Sequence, residues 1–140
     1  MSMSPEEIAD LVDRLYAAAG AGDWDTANAM LTDDFVAYEA DALPMAGAYR
    51  GRNGLKDLFA RVMGMVDVVG LDRHDLLTGQ DSAIAVLTMR FADPSLAPAD
   101  LCEMFRFRDG KCCEIKPYYY DPATFHAAAK AKAAQGAPVA

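Results

Sequence analysis

The hydrophobic pattern of this chain turns from mainly helical to mainly strand-like near Val68, and that change limits the folds open to it. Before it, apolar residues recur at helical spacing. Ser4-Pro5-Glu6-Glu7 supplies an N-cap, a proline at the first helical position and a capping-box glutamate. Ile8, Leu11, Val12 and Leu15 follow three and four apart, so a first helix is predicted to about Ala19, ended by Gly20 and Gly22. Asp23 caps a second, shorter helix reaching Leu31. A strand at 35–39 comes next, then an irregular stretch with Pro44 and Gly47, in which Tyr49 and Arg50 fix the loop before the next helix. Asn53 caps a third helix with Leu55, Leu58, Phe59 and Val62 as its stripe. After Val68 the period is that of strands. Residues 71–78 and 82–91 form a hairpin around Gly79-Gln80-Asp81, and 100–108 and 111–120 form another around Asp109-Gly110. The stretch 82–91 is apolar at nearly every position, which predicts burial on both faces. Asp121-Pro122 opens a last helix through Phe125, and the Ala/Lys stretch after Ala127 reads as a frayed tail.

Helices, one strand, a helix and then a meander make a single α+β domain over 1–140, with its core at about 5–127. The expected architecture is a curved, mostly antiparallel sheet packed against three helices. Such a cone-like half-barrel holds an internal apolar pocket.

Charge and composition narrow the partners. Hydrophobic residues make up 53% of the chain and charged residues 24%, as in ordinary globular domains. The net charge of −8, with Lys and Arg scattered, argues against nucleic acid and anionic membrane. No run reaches the roughly 18 apolar residues of a membrane span, and the acidic N-terminus is unlike a secretion signal, so the cytoplasm is the expected compartment. Cys102, Cys112 and Cys113 are an odd number with no zinc-like spacing and read as packing residues. No nucleotide, metal or flavin motif is visible, so neither a cofactor nor a metal is expected.

The last hairpin shows which residues face inward. A two-residue turn at Asp109-Gly110 would set Phe105 opposite Glu114 and Glu103 opposite Lys116, mixing apolar with charged residues. A three-residue loop 108–110 shifts the register by one and sorts them. Glu103, Phe105, Phe107, Cys113, Ile115 and Tyr119 then share the inner face, and Met104, Arg106, Cys112, Glu114, Lys116 and Tyr118 the outer. On the first strand Phe35, Ala37 and Glu39 alternate inward as well. Two carboxyls, Glu39 and Glu103, therefore face an apolar interior, where lost hydration raises a carboxyl pKa and suits it to donate a hydrogen bond or take a carbon-bound proton. The plainer reading of either is a wet rim position or an ion pair.

The segments GDWD, LTDDFVAYE, LPMAGAYRGRNGL and EMFRFRDGKCCEIKPYYYD, within roughly 11–121, resemble the nuclear-transport-factor-2-like superfamily, in particular its SnoaL-like polyketide cyclase branch. That superfamily includes isomerases, dehydratases, epoxide hydrolases, aldol cyclases and non-enzymes. The chain is also similar to ketosteroid isomerase. That resemblance puts the general base on Glu39 and the protonated oxyanion-hole acid on Glu103. It puts the oxyanion-hole tyrosine on Leu15, a departure, since Tyr16 lies about 100° further round the helix. Tyr119 is another phenol that could donate. The resemblance implies a cofactor-free isomerase, cyclase or dehydratase acting next to a carbonyl on a small hydrophobic molecule. A non-catalytic binding or dimerisation module is the alternative, and a homodimer through the sheet face is implied in either case. Candidate binding residues are Tyr16, Trp24, Asp41, Phe59, Met63, His74, Phe105 and Tyr119. For Asp41 a solvated loop acid, for His74 a structural strand histidine, and for Trp24, Phe59 and Met63 a core or pocket-wall role are the plainer readings.

Overall fold

The computed structural model describes residues 2–135. Along the chain run α1 (Pro5–Gly20), α2 (Trp24–Ala29), β1 (Leu31–Glu39), β2 (Gly47–Arg50) and α3 (Gly54–Met65), followed by β3 (Val68–Gly79), β4 (Ser82–Phe91), β5 (Ala99–Arg108), β6 (Lys111–Tyr119) and α4 (Pro122–Gln135). The strands form one curved, unclosed sheet in the order β2-β1-β6-β5-β4-β3. All neighbours are antiparallel except β1 and β6.

Helix α1 starts where its capping box dictates: Glu7 N–H donates to the Ser4 hydroxyl at 3.1 Å and Ser4 N–H to the Glu7 carboxylate at 3.0 Å. It buries Ile8, Leu11, Val12, Leu15 and Ala18 in a core shared with Phe35, Leu87, Leu101, Phe105 and Ile115 of the sheet. Each large side chain contributes roughly 1.5–3 kcal/mol by burial. Along β4, Ala83, Ala85, Leu87, Met89 and Phe91 are buried, while Ile84 and Arg90 are exposed and Val86 and Thr88 half-buried. The expected burial of this strand on both faces is thus corrected: the chain itself covers one face.

Several boundaries also differ from expectation. The second helix stops at Ala29, and Leu31 already belongs to β1, because Met30 O accepts from Cys112 N–H at 2.9 Å and joins the sheet. The irregular stretch contains β2, which extends the edge beside β1 through Val36–Arg50 to Glu39–Gly47 pairs. Asn53 precedes α3 without capping it; its side-chain oxygen accepts from Asn28 Nδ2 at 3.2 Å. Helix α4 continues to Gln135, making four helices, because alanine is the best helix former, Ala128 is buried, and Lys132 reaches Asp67 at 2.9 Å and Met63 O at 3.0 Å. The rest of the expected tail lies outside the described residues.

The last hairpin reaches the expected faces by another route. Its turn has two residues, Asp109 (φ 55°) and Gly110 (φ 77°), both left-handed as such a turn demands. Cys113 then bulges, between the Phe107–Cys112 and Arg106–Glu114 pairs. The bulge supplies the one-residue shift assigned above to a longer loop. Glu103, Phe105, Ile115 and Tyr119 share the inner face as expected. The cysteines exchange places: Cys112 is fully buried and Cys113 is not.

Candidate active site

Four polar side chains from four elements converge on the inner face. Glu39 ends β1, two residues beyond buried Ala37, and is itself only 6% exposed. Glu103 lies in β5 opposite Ala85, between the inward-facing Leu101 and Phe105. Tyr16 comes from α1 and donates its hydroxyl proton to Glu103 Oε1 at 2.5 Å. Its ring stands edge-on to Phe105 with centroids 5.7 Å apart, so α1 is held to the sheet by an apolar and a polar contact at one point. Tyr119 of β6, opposite Leu101, packs edge-on against Phe125 of α4 at 5.9 Å. Leu15, where the resemblance places a donor tyrosine, is buried in the core. The neighbouring residue supplies the phenol instead.

The electrostatics follow from burial. Glu39 has its pKa pushed up to about 8, first by desolvation and then by the like charge of Glu103. Its Oε1 is buried and meets no hydrogen-bond donor among the described residues. Burial also raises Glu103, and the Tyr16 hydrogen bond pulls the other way. Tyr16 is raised by burial, then by Glu103, and Tyr119 by burial, then by Glu39 and Glu103. Both phenols therefore keep their protons, and Tyr16 donates its own to Glu103. The cluster contains one carboxyl with an oxygen that meets no donor among the described residues, one carboxyl held by a phenol, and a second phenol that senses both acids.

A family model described as a SnoaL-like domain matches residues 12–115. This chain belongs to the SnoaL-like family. The SnoaL-like chain has the fold of an NTF2-like protein from Burkholderia xenovorans LB400, with 22% identity over 91% of this chain and 98% of that one, at a TM-score of 0.74. It is also similar to Bal32a from a soil-derived mobile gene cassette (20% identity, 88% and 96% covered, TM-score 0.76). TerC, co-crystallized with polyporic acid, is similar at 16% identity, with 89% and 98% covered and a TM-score of 0.72. No curated protein matches.

Other candidate residues of the SnoaL-like chain stand apart from this cluster. His74 sits in a bulge of β3, and its Nε2 lies 2.8 Å from Thr88 Oγ1, which donates to Asp100 at 2.7 Å. That chain of contacts lies on the outer face. Asp41 is exposed in the turn after β1. Trp24 and Phe59 meet edge-on at 5.4 Å between α2 and α3, and Phe59 and Met63 are each more than a third exposed. Sequence reasoning missed Arg73, which pairs with Asp13 of α1 at 2.7 Å and lies close enough to Tyr16 to favour its ionised form. The β3 bulge hid it by breaking the strand's alternation.

Two surface concavities lie elsewhere. One, of about 320 Å³, is lined by Asp67, Phe91 and Lys132 among others; the second, of about 300 Å³, lies between Met3, Asp81 and Phe107. Neither includes Glu39 or Glu103. What marks the site is the arrangement of its side chains.

Proposed function

We propose that the inner cluster is an acid–base site acting on a small hydrophobic carbonyl compound. Glu39 takes a proton from the carbon next to the carbonyl: the C–H bond breaks, its electron pair forms the enolate, and the proton passes to the carboxylate. Glu103, kept neutral and held at Oε1 by the Tyr16 hydroxyl, donates its own proton to the oxygen on which negative charge develops. Returning the proton elsewhere gives isomerisation; loss of a β-substituent gives dehydration; attack on a second carbonyl gives cyclisation. None of these steps calls for a cofactor.

The observation that carries this reading is the buried Glu39 Oε1 without a donor, on the same inner face as a phenol–carboxyl pair. An acid with its pKa moved to about 8 is ionised in about a tenth of the molecules at pH 7 and is then a far stronger base than an ordinary carboxylate. The fold shared with TerC, co-crystallized with polyporic acid, supports a small-molecule ligand. No described helix is long and apolar enough to cross a membrane.

The test is loss of α-proton NMR signals from a panel of enolisable ketones in deuterium oxide. At least one ketone is expected to exchange with wild type and not with Glu39→Gln. If no ketone exchanges faster than in buffer, the catalytic reading fails and a non-catalytic binding module takes its place.

A second reading rests on the outer face, where Leu77, Ile84 and Tyr118 are exposed. These side chains suit a homodimer through the sheet, which is compatible with catalysis. A monomer in sedimentation at micromolar concentration would remove it.

A further inference from the structure

We propose that the inner cluster also binds protonated organic amines, the ammonium group seated at Glu39 and Glu103 and the apolar body against the aromatic side chains. This goes beyond carbonyl chemistry and does not depend on it.

Glu39 is more than nine-tenths buried on the inner face, and one of its oxygens meets no donor among the described residues. The charge that bears on it is another carboxylate, Glu103. Among the described residues, the cation near this cluster is Arg73, which acts on Tyr16 rather than on Glu39 and is already paired with Asp13 at 2.7 Å. The remaining titratable neighbours, Tyr16, Tyr119 and Cys112, are all pushed up by burial and stay neutral. The cluster thus has an open acceptor, and when either acid ionises no cation among the described residues lies against it to balance the charge.

An uncharged ligand with a hydroxyl would satisfy the open oxygen yet leave the cost of ionising a buried carboxyl untouched. An ammonium does both, since its N–H groups are charge-assisted donors and its charge offsets that of the acids. Tyr16 and Tyr119, half-buried beside the acids, add aromatic rings, to which a cation is attracted. Ammonium binding favours the ionised carboxylate, so Glu39 gives up its proton as the amine enters. That proton distinguishes this mode from apolar association.

Calorimetry at pH 7 with 1-naphthylmethylamine and its uncharged counterpart 1-naphthylmethanol, each in phosphate and in Tris buffer, reads affinity and proton count together. The amine is expected to bind at least about tenfold tighter than the alcohol, with net proton release from the protein. Glu39→Gln, near-isosteric and checked for fold by circular dichroism, should bind the alcohol like wild type while losing both the amine preference and the release. Glu103→Gln, which keeps an acceptor for Tyr16, should lose part of the preference. Equal affinity for the two ligands, proton release that survives Glu39→Gln, or no saturable binding of the amine would overturn the proposal. Ketone exchange is a separate readout, so either proposal can fail alone.

Discussion

Glu103 and Glu114 stand on adjacent strands of the same sheet and face opposite ways. Glu114, outward, has Arg106 at 3.8 Å and Lys116 at 3.9 Å, and both cations are substantially exposed. Glu103, inward, has a phenol for a partner and a second carboxyl, Glu39, for a charged neighbour. The residue type is the same, and the face decides its chemistry. On the outer face water and mobile cations satisfy a carboxylate at little energetic consequence. On the inner face hydration is lost and no cation among the described residues replaces it, so each acid holds its proton to higher pH. The difference is general along the sheet: Arg90 lies on Asp72, and His74, Thr88 and Asp100 form a chain, all on the outer side.

The largest expected contrast is in turnover. Glu39→Gln should slow ketone α-exchange by about 10²- to 10⁴-fold, while Glu114→Gln should leave it unchanged; equal effects measured by NMR exchange would erase the distinction between the faces. Packing should divide the same way. Phe105→Ala, which removes a ring 1% exposed, should cost about 3–5 kcal/mol in urea unfolding. Ile84→Ala on the outer face should cost well under half of that in the monomer.

The pH dependence of stability gives the next contrast. Folded Glu39 keeps its proton up to about pH 8, whereas in the unfolded chain it loses it near the ordinary 4.5. Its stabilising contribution is therefore complete below about pH 4.5 and is lost as pH rises through 8. The total loss is roughly 2–5 kcal/mol. Unfolding midpoints of wild type should fall across that window. Glu39→Gln should flatten the fall and be the more stable protein at pH 9. Smaller again, Tyr16→Phe should cost about 1–3 kcal/mol by leaving Glu103 without its donor. Glu114→Gln should stay within about 1 kcal/mol, read by the same denaturation.

The inner face was legible in the sequence to the extent that alternation survived. Phe35, Ala37 and Glu39 alternate without interruption, and Phe105 and Glu103 fall in step, so alternation alone places both acids inward. The bulge at Cys113 left no mark in composition, and so the shift it provides was assigned to the turn and the two cysteines were exchanged. The bulge at His74 concealed Arg73 for the same reason. Helical phase was the harder inference: Leu15 and Tyr16 both fall within reach of the sheet, and only packing shows that Leu15 enters the core while Tyr16 turns to Glu103. Helix α4 was cut short because its polyalanine stretch carries no amphipathic stripe, while its anchors, Asp67 and Met63 O, are remote in sequence.

Carbon-detected NMR titration of the glutamate carboxyls, assigned with Glu39→Gln and Glu103→Gln, tests the central claim most directly. The expected result is a Glu39 midpoint near 8, with Glu103 also above the ordinary carboxylate range and Glu39 shifting down when Glu103 is replaced. Midpoints for both near 4.5, unmoved by either substitution, would contradict it, since the inner acids would then be as wet as those outside.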